Sequence, residues 1–223
     1  MASWFGWFTP TVSQAQDWPN LEKYKQENAL LGDPAPDGPR VVFMGNSITE
    51  GWIGASPEYF DSNPYVNRGI GGQTTPQMLL RFRQDVIDLE PKAVLILAGT
   101  NDIAGNTGPM TLEQIRDNIL SMVELAKAND ILPIVCSVLP AYDYPWRPGK
   151  RPNVKIPQLN GMLKTMAAEE GVPYLDYFTP MADARNGLPV EYTTDGVHLT
   201  KEGYGVMEKL VQEKLSKVLK AGK

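Results

Sequence analysis

The chain has 223 residues, of which 42% are apolar, 9% aromatic and 21% charged, with a formal net charge of −5. That is chain enough for one domain, too apolar to stay disordered, and its longest apolar runs, Val94–Ala98 and the Pro133-broken Ile131–Leu139, fall far short of the ~20 residues a membrane span needs. An acidic pI near 5.0 argues against a nucleic-acid backbone as the main partner. The single Cys136 cannot form an internal disulfide, no Cys/His cluster offers a zinc site, and His198 is the only histidine. Any imidazole chemistry must use that one residue.

Residues 1–20 read as an extension. Trp4, Phe5, Trp7 and Phe8 form a short apolar stretch, and Ser13-Gln14-Ala15 has the small-x-small form of an export cleavage site, which leans toward a secreted or periplasmic protein. The basic n-region is missing, and Gly6, Thr9 and Pro10 interrupt the apolar core, so a simple tail is the competing reading. Residues 21–223 read as one domain in which strands and helices alternate. A helix is predicted from Leu21 to Leu31, stopped by Gly32 and the Pro34/Pro36 pair. Strands are predicted at Val41–Met44, Tyr65–Asn67, Ala93–Ala98, Ile131–Leu139 and Val172–Tyr177. Helices are predicted from Ser47, at Thr75–Leu89, from Thr111 with Gln114 completing a capping box, at Ile156–Glu170 and at Thr200–Leu219. The carboxyl-terminal helix carries Lys209, Lys214, Lys217 and Lys220 as a solvated face. This alternation implies an α/β fold with right-handed crossovers and a parallel sheet covered on both faces, and such sheets bind ligands at the carboxyl ends of their strands.

Polar residues at those strand ends are therefore the candidates. After the first strand, Ser47 sits at a strand-to-helix turn where backbone N–H groups favour developing negative charge; taken alone, an N-cap is the commoner use of such a serine. After the second come Gly69, Gly71 and Gly72, which allow close backbone approach. They form no dinucleotide fingerprint, because Thr74 stands where a third glycine belongs, and no phosphate loop. After the third, the Asn101 amide is a suitable oxyanion donor, or an Asx turn. Before the last helix, Asp195 and His198 are three residues apart, close enough for one turn to join carboxylate and imidazole.

Four ordered blocks carry a resemblance: Gly45-Asn46-Ser47-Ile48, Gly71-Gly72-Gln73-Thr74, Gly99-Thr100-Asn101-Asp102 and Asp195-Gly196-Val197-His198. The chain resembles the SGNH (GDSL-like) hydrolase superfamily over about residues 40–200, and within it the short-chain acylhydrolases similar to carbohydrate acetylesterases and platelet-activating-factor acetylhydrolases. Asn46 stands where that family usually has Asp. The resemblance implies a three-layer α/β/α, flavodoxin-like fold with five parallel strands in the order 2-1-3-4-5, and no metal or other cofactor. It implies Ser47 as nucleophile, His198 as base, Asp195 as its orienter, and an oxyanion hole from the N–H groups of Ser47 and Gly72 with the Asn101 amide. A serine esterase acting on short, acetyl-type esters of a carbohydrate is the expectation. A non-catalytic ligand-binding domain and an acyltransferase with the same triad are the alternatives. Candidate substrate contacts are Trp52, an acyl-pocket residue or else core, and Tyr142, Tyr144, Trp146 and Arg147 of the fourth-strand loop, a platform for sugar rings or else packing over the sheet edge.

Overall fold

A computed structural model describes residues 16–35 and 38–219; the aromatic amino-terminal stretch, Pro36 and Lys220 lie outside the described residues. Five strands, β1 (Val41–Gly45), β2 (Tyr65–Gly69), β3 (Ala93–Leu97), β4 (Leu132–Cys136) and β5 (Tyr174–Leu175), pair in parallel in the order β2-β1-β3-β4-β5. The helices are α1 (Lys25–Leu30), α2 (Ser47–Ala55), α3 (Pro57–Asp61), α4 (Thr75–Asp85), α5 (Thr100–Ala104), α6 (Leu112–Lys127), α7 (Pro152–Glu169), α8 (Phe178–Met181) and α9 (Lys201–Val218). Strand side chains alternate between faces, which divides the apolar residues into two cores. Val42, Met44, Val94 and Ile96 meet α4, α6 and α7 on one face; Val41, Phe43, Ala93 and Leu95 meet α2 and α9 on the other. The layers are those the sequence implies.

The boundaries differ for local reasons. β4 stops at Cys136 rather than Leu139, because the Ser137 hydroxyl accepts the N–H groups of Tyr177 (2.8 Å) and Phe178 (2.9 Å) and turns the neighbouring chain out of the sheet. For the same reason β5 is two residues rather than the predicted six. The predicted long helix after Thr75 ends at Asp85 and continues only as a 3-10 turn at Ile87–Leu89. Thr111 and Gln114 do form the reciprocal capping box of α6. Burial pushes the Cys136 thiol up to about 12, so this cysteine is packing.

The first predicted helix forms only at its end, and the segment before it works as a strap. The Asp17 carboxylate accepts the N–H groups of Leu21 (2.9 Å) and Glu22 (3.1 Å). The Trp18, Pro19 and Leu21 carbonyls are taken by the side-chain amides of Gln77 (2.8 Å), Gln73 (2.7 Å) and Gln84 (2.6 Å) instead of by a helical ladder. Residues 17–20, placed by sequence in the extension, are thus bound to the domain. Beneath the strap the fully buried Arg81 donates to Gln73 Oε1 (2.6 Å), Asp85 Oδ2 (3.0 Å), and the carbonyls of Gly45 (3.1 Å) and Arg68 (2.9 Å), the ends of β1 and β2.

Candidate active site

At the end of β1 the chain passes through Asn46, whose side-chain oxygen accepts the Ile48 N–H at 3.1 Å and caps α2. The cap is therefore Asn46, doing as an amide what a carboxylate could do there, and Ser47 is left free as the first helical residue. Its N–H lies in the first turn, where no intrahelical acceptor exists. The approach is close: a Cβ at Gly69 would collide with the Glu50 backbone, so only glycine lets the end of β2 pack against the first turns of α2.

Ser47 Oγ is 3.0 Å from His198 Nε2, and His198 Nδ1 is 2.6 Å from Asp195 Oδ2. Asp195 Oδ1 also accepts the N–H groups of Val197 (2.9 Å) and His198 (2.7 Å). Partial burial pulls the Asp195 pKa up, but the His198 ring and these two N–H donors outweigh it and hold the carboxyl below its usual range. A charged Asp195 keeps the proton on Nδ1 and leaves Nε2 as an acceptor facing the Ser47 hydroxyl. Thr193 closes the turn, donating to the His198 carbonyl at 2.7 Å and accepting the Gly196 N–H at 3.0 Å.

The glycine turn after β2 lies against Ser47; a Cβ at Gly71 would sit 3.9 Å from the Ser47 Cβ. Gly72 has φ +76°, which turns its N–H in a way L side chains rarely allow. Asn101, buried, donates one amide N–H to the Gln73 carbonyl at 2.9 Å and retains a second. Glu50 Oε2 accepts the Gly71 N–H at 2.7 Å while its other oxygen pairs with Lys23 of the strap. The arrangement brings a hydroxyl, an imidazole, a carboxylate and three candidate donors to the carboxyl end of the sheet, the components acyl transfer uses.

The expected substrate residues divide. Trp146, 39% exposed, lies with its ring centroid 6.2 Å from that of His198. Tyr144 is a correction: it is fully buried, hydrogen-bonded to Thr100 at 2.8 Å, and stacks beneath Trp146 at 5.1 Å. Trp52 is another, 1% exposed and stacked between Tyr59 and Tyr204 in the core, with Nε1 donating to Glu208. Aromatic stacking from three elements leaves it no face for a ligand. Tyr142, 52% exposed, carries the Arg185 guanidinium over its ring at 4.9 Å and lines a cavity of about 390 Å³ with Pro145, Val190, Asp195 and Gly196. Arg147 is exposed on the same loop, and its side chain takes no part in the described hydrogen bonds or ion pairs. A larger cavity, about 650 Å³, runs along the outer edge of β2 between α1 and α2, but it holds no nucleophile beside a base.

Sequence reasoning missed Glu50, Thr193 and Asn106, whose amide joins Gly72 to Trp146. Glu50 had a signal, since it lies three residues beyond Ser47 on the same helix face. The other two are loop residues whose partners are set only by the fold.

A family model described as GDSL-like Lipase/Acylhydrolase matches residues 43–206. A solved structure of a candidate acylhydrolase from Bacteroides fragilis is 50% identical, with a TM-score of 0.89, covering 92% of this chain and 99% of that one. Among curated proteins, platelet-activating factor acetylhydrolase IB subunit alpha2 of Homo sapiens is 26% identical over 87% of this chain and 83% of its own length. The isoamyl acetate-hydrolyzing esterase of Saccharomyces cerevisiae is 26% identical over 86% and 81%. An uncharacterized lipoprotein of Bacillus subtilis is 38% identical over 78 residues, and there the match spans 32% of the relative.

Proposed function

The chain belongs to the GDSL-like lipase/acylhydrolase family and is a carboxylic ester hydrolase; within that class we propose that it removes acetyl groups from ring alcohols, carbohydrates foremost, through Ser47, His198 and Asp195. The observation that carries this reading is the line from Ser47 Oγ through His198 to Asp195, with contacts of 3.0 and 2.6 Å. Ser47 Oγ attacks the ester carbonyl carbon as its proton passes to His198 Nε2. The tetrahedral intermediate places its oxyanion toward the Ser47 and Gly72 N–H groups and the second Asn101 amide proton. Collapse breaks the carbon–alcohol bond, and the departing alkoxide takes the proton from His198. Water then attacks the acyl-serine, giving its proton to His198, and acetate leaves as that proton returns to Ser47.

The acyl size rests on the two relatives named for acetyl esters. The alcohol rests on Trp146, an exposed indole beside the imidazole that must protonate the leaving group. A flat apolar ring with a polar edge suits a sugar face. Arg147 on the same rim is the candidate contact for an anionic substituent.

The test is turnover of p-nitrophenyl acetate, butyrate and octanoate by the wild type and Ser47→Ala, followed by xylose and glucose acetates against ethyl acetate. The expected result is acetate turnover that falls with chain length, disappears in Ser47→Ala, and rises in kcat/KM on the sugar esters. Residual turnover in Ser47→Ala would remove Ser47 as nucleophile. Equal rates on octanoate would remove the acetyl assignment, and equal kcat/KM on ethyl and sugar acetates the ring alcohol.

A further inference from the structure

The two walls beside Ser47 and His198 are tied together by one side chain. Asn106 follows α5, where its backbone N–H donates to the Asn101 carbonyl at 3.0 Å. Its Nδ2 donates to the Gly72 carbonyl at 3.1 Å, and its Oδ1 accepts from Trp146 Nε1 at 3.2 Å. Asn106 is half-buried, and its side-chain amide is the group that bridges the two walls. The peptide carrying the Gly72 N–H lies between two others that are pinned. Glu50 takes the Gly71 N–H on one side, and Asn106 takes the Gly72 carbonyl on the other. Glycine at φ +76° has little intrinsic preference to hold that orientation, so the restraint must come from such contacts.

We propose that Asn106 is a positioning residue for ester hydrolysis, holding the Gly72 turn and the Trp146 ring in one register so that an alcohol ring seated on Trp146 steadies the oxyanion donors. The proposal rests on the ester-hydrolase reading above and adds a link between alcohol recognition and rate. An amide is the side chain that serves both ends: a carboxylate would still accept from the indole but would repel the Gly72 carbonyl, and an alkyl group would serve neither.

The test measures kcat and KM on ethyl acetate and on a xylose acetate for the wild type, Asn106→Ala, Asn106→Asp, Trp146→Phe and the double variant Asn106→Ala/Trp146→Phe, with thermal melting to establish that each is folded. Asn106→Ala should lose roughly tenfold or more in kcat on both esters with KM little changed, because a displaced oxyanion donor acts in the transition state. Asn106→Asp should lower kcat on both esters yet keep the wild-type preference for the sugar ester. Trp146→Phe retains an apolar ring without the N–H, and its loss should fall mainly on the sugar ester. In the double variant the two losses on that ester should overlap rather than multiply, the mark of a shared linkage. The acid limb of the pH profile should stay in place in Asn106→Ala, since His198 and Asp195 are untouched and no charge is added near them. Wild-type kcat in folded Asn106→Ala, or losses that multiply in the double variant, would overturn the proposal while leaving ester hydrolysis standing. A wild type that turns over neither ester would take both readings down together.

Discussion

Asp195 grips His198 at two places: one carboxylate oxygen is 2.6 Å from ring Nδ1 and the other 2.7 Å from the backbone nitrogen. The second contact fixes where the ring begins, and the first fixes which nitrogen carries the proton. Asp195→Asn therefore separates the two. Its oxygen can still accept the backbone N–H, but an amide N–H toward Nδ1 drives the ring proton to Nε2, where it faces Ser47 and base function is lost. The expected loss in kcat is roughly 10³- to 10⁴-fold, less than for Ser47→Ala or His198→Ala. Steady-state kinetics with melting temperature as control decide it; a variant within tenfold of wild type would take Asp195 out of the reaction.

Glu50 holds the Gly71 N–H, and Lys23 holds Glu50. Glu50→Ala should lower kcat by about tenfold with little change in KM, since it frees the turn rather than a ground-state contact. Glu50→Gln keeps an acceptor and should recover most of the rate. Were Gln as slow as Ala, the pairing with Lys23 and not the bond to Gly71 would be the operative contact.

Arg81 and Asp85 are both fully buried and 3.0 Å apart. Arg81→Met strands a buried carboxylate and releases the Gly45 and Arg68 carbonyls, at a cost of about 3–5 kcal/mol. The unfolding free energy extrapolated from denaturant curves should fall by that amount with the slope unchanged, and adding Asp85→Leu should recover part of it. An unfolding free energy within roughly 1 kcal/mol of wild type would mean that water replaces the guanidinium.

Asp102 is buried with one oxygen bonded to Thr75 N and Oγ1, and the other, Oδ2, with no partner among the described residues. Burial raises its carboxyl above the usual range, although the Thr75 donors pull the other way. A folded-state pKa above the unfolded one means that the fold favours the protonated form. Its contribution is complete at pH below the unfolded value and is lost as pH rises through the folded one. Asp102→Asn stays neutral throughout, so its melting temperature should gain on the wild type as pH climbs through that window. A constant difference across the window would place the charge on another group.

Much of the site was legible in the sequence because its residues follow strands. The carboxyl-end rule offers Ser47, the Gly69, Gly71 and Gly72 turn and Asn101 as candidates, the three-residue spacing lets Asp195 reach His198, and the family resemblance is what assigns them roles and singles out Gly72. The same rule failed for Trp52 and Tyr144, since it places a residue near a sheet end without saying which way its side chain turns. Trp52 sits on the face of α2 that stacks on Tyr59, and Tyr144 on the buried side of its loop. The ends of β4 and β5 were invisible for a different reason: Ser137 reaches across forty residues to stop both. The helix read from Leu21 to the Gly32 and Pro34/Pro36 stop begins only at Lys25, because the Leu21 carbonyl that a helix would consume is claimed by the distant Gln84 amide.

The strap begins well before the residues that match the family model at 43–206. Through Lys23, Glu50 and Gly71 it reaches the turn beside the nucleophile. A protease cut between Trp18 and Lys25 would leave every residue of the Ser–His–Asp line and the Glu50–Gly71 bond in place, and would loosen only the Lys23 anchor on Glu50. The surroundings of the donor turn therefore extend beyond the stretch that the family model spans.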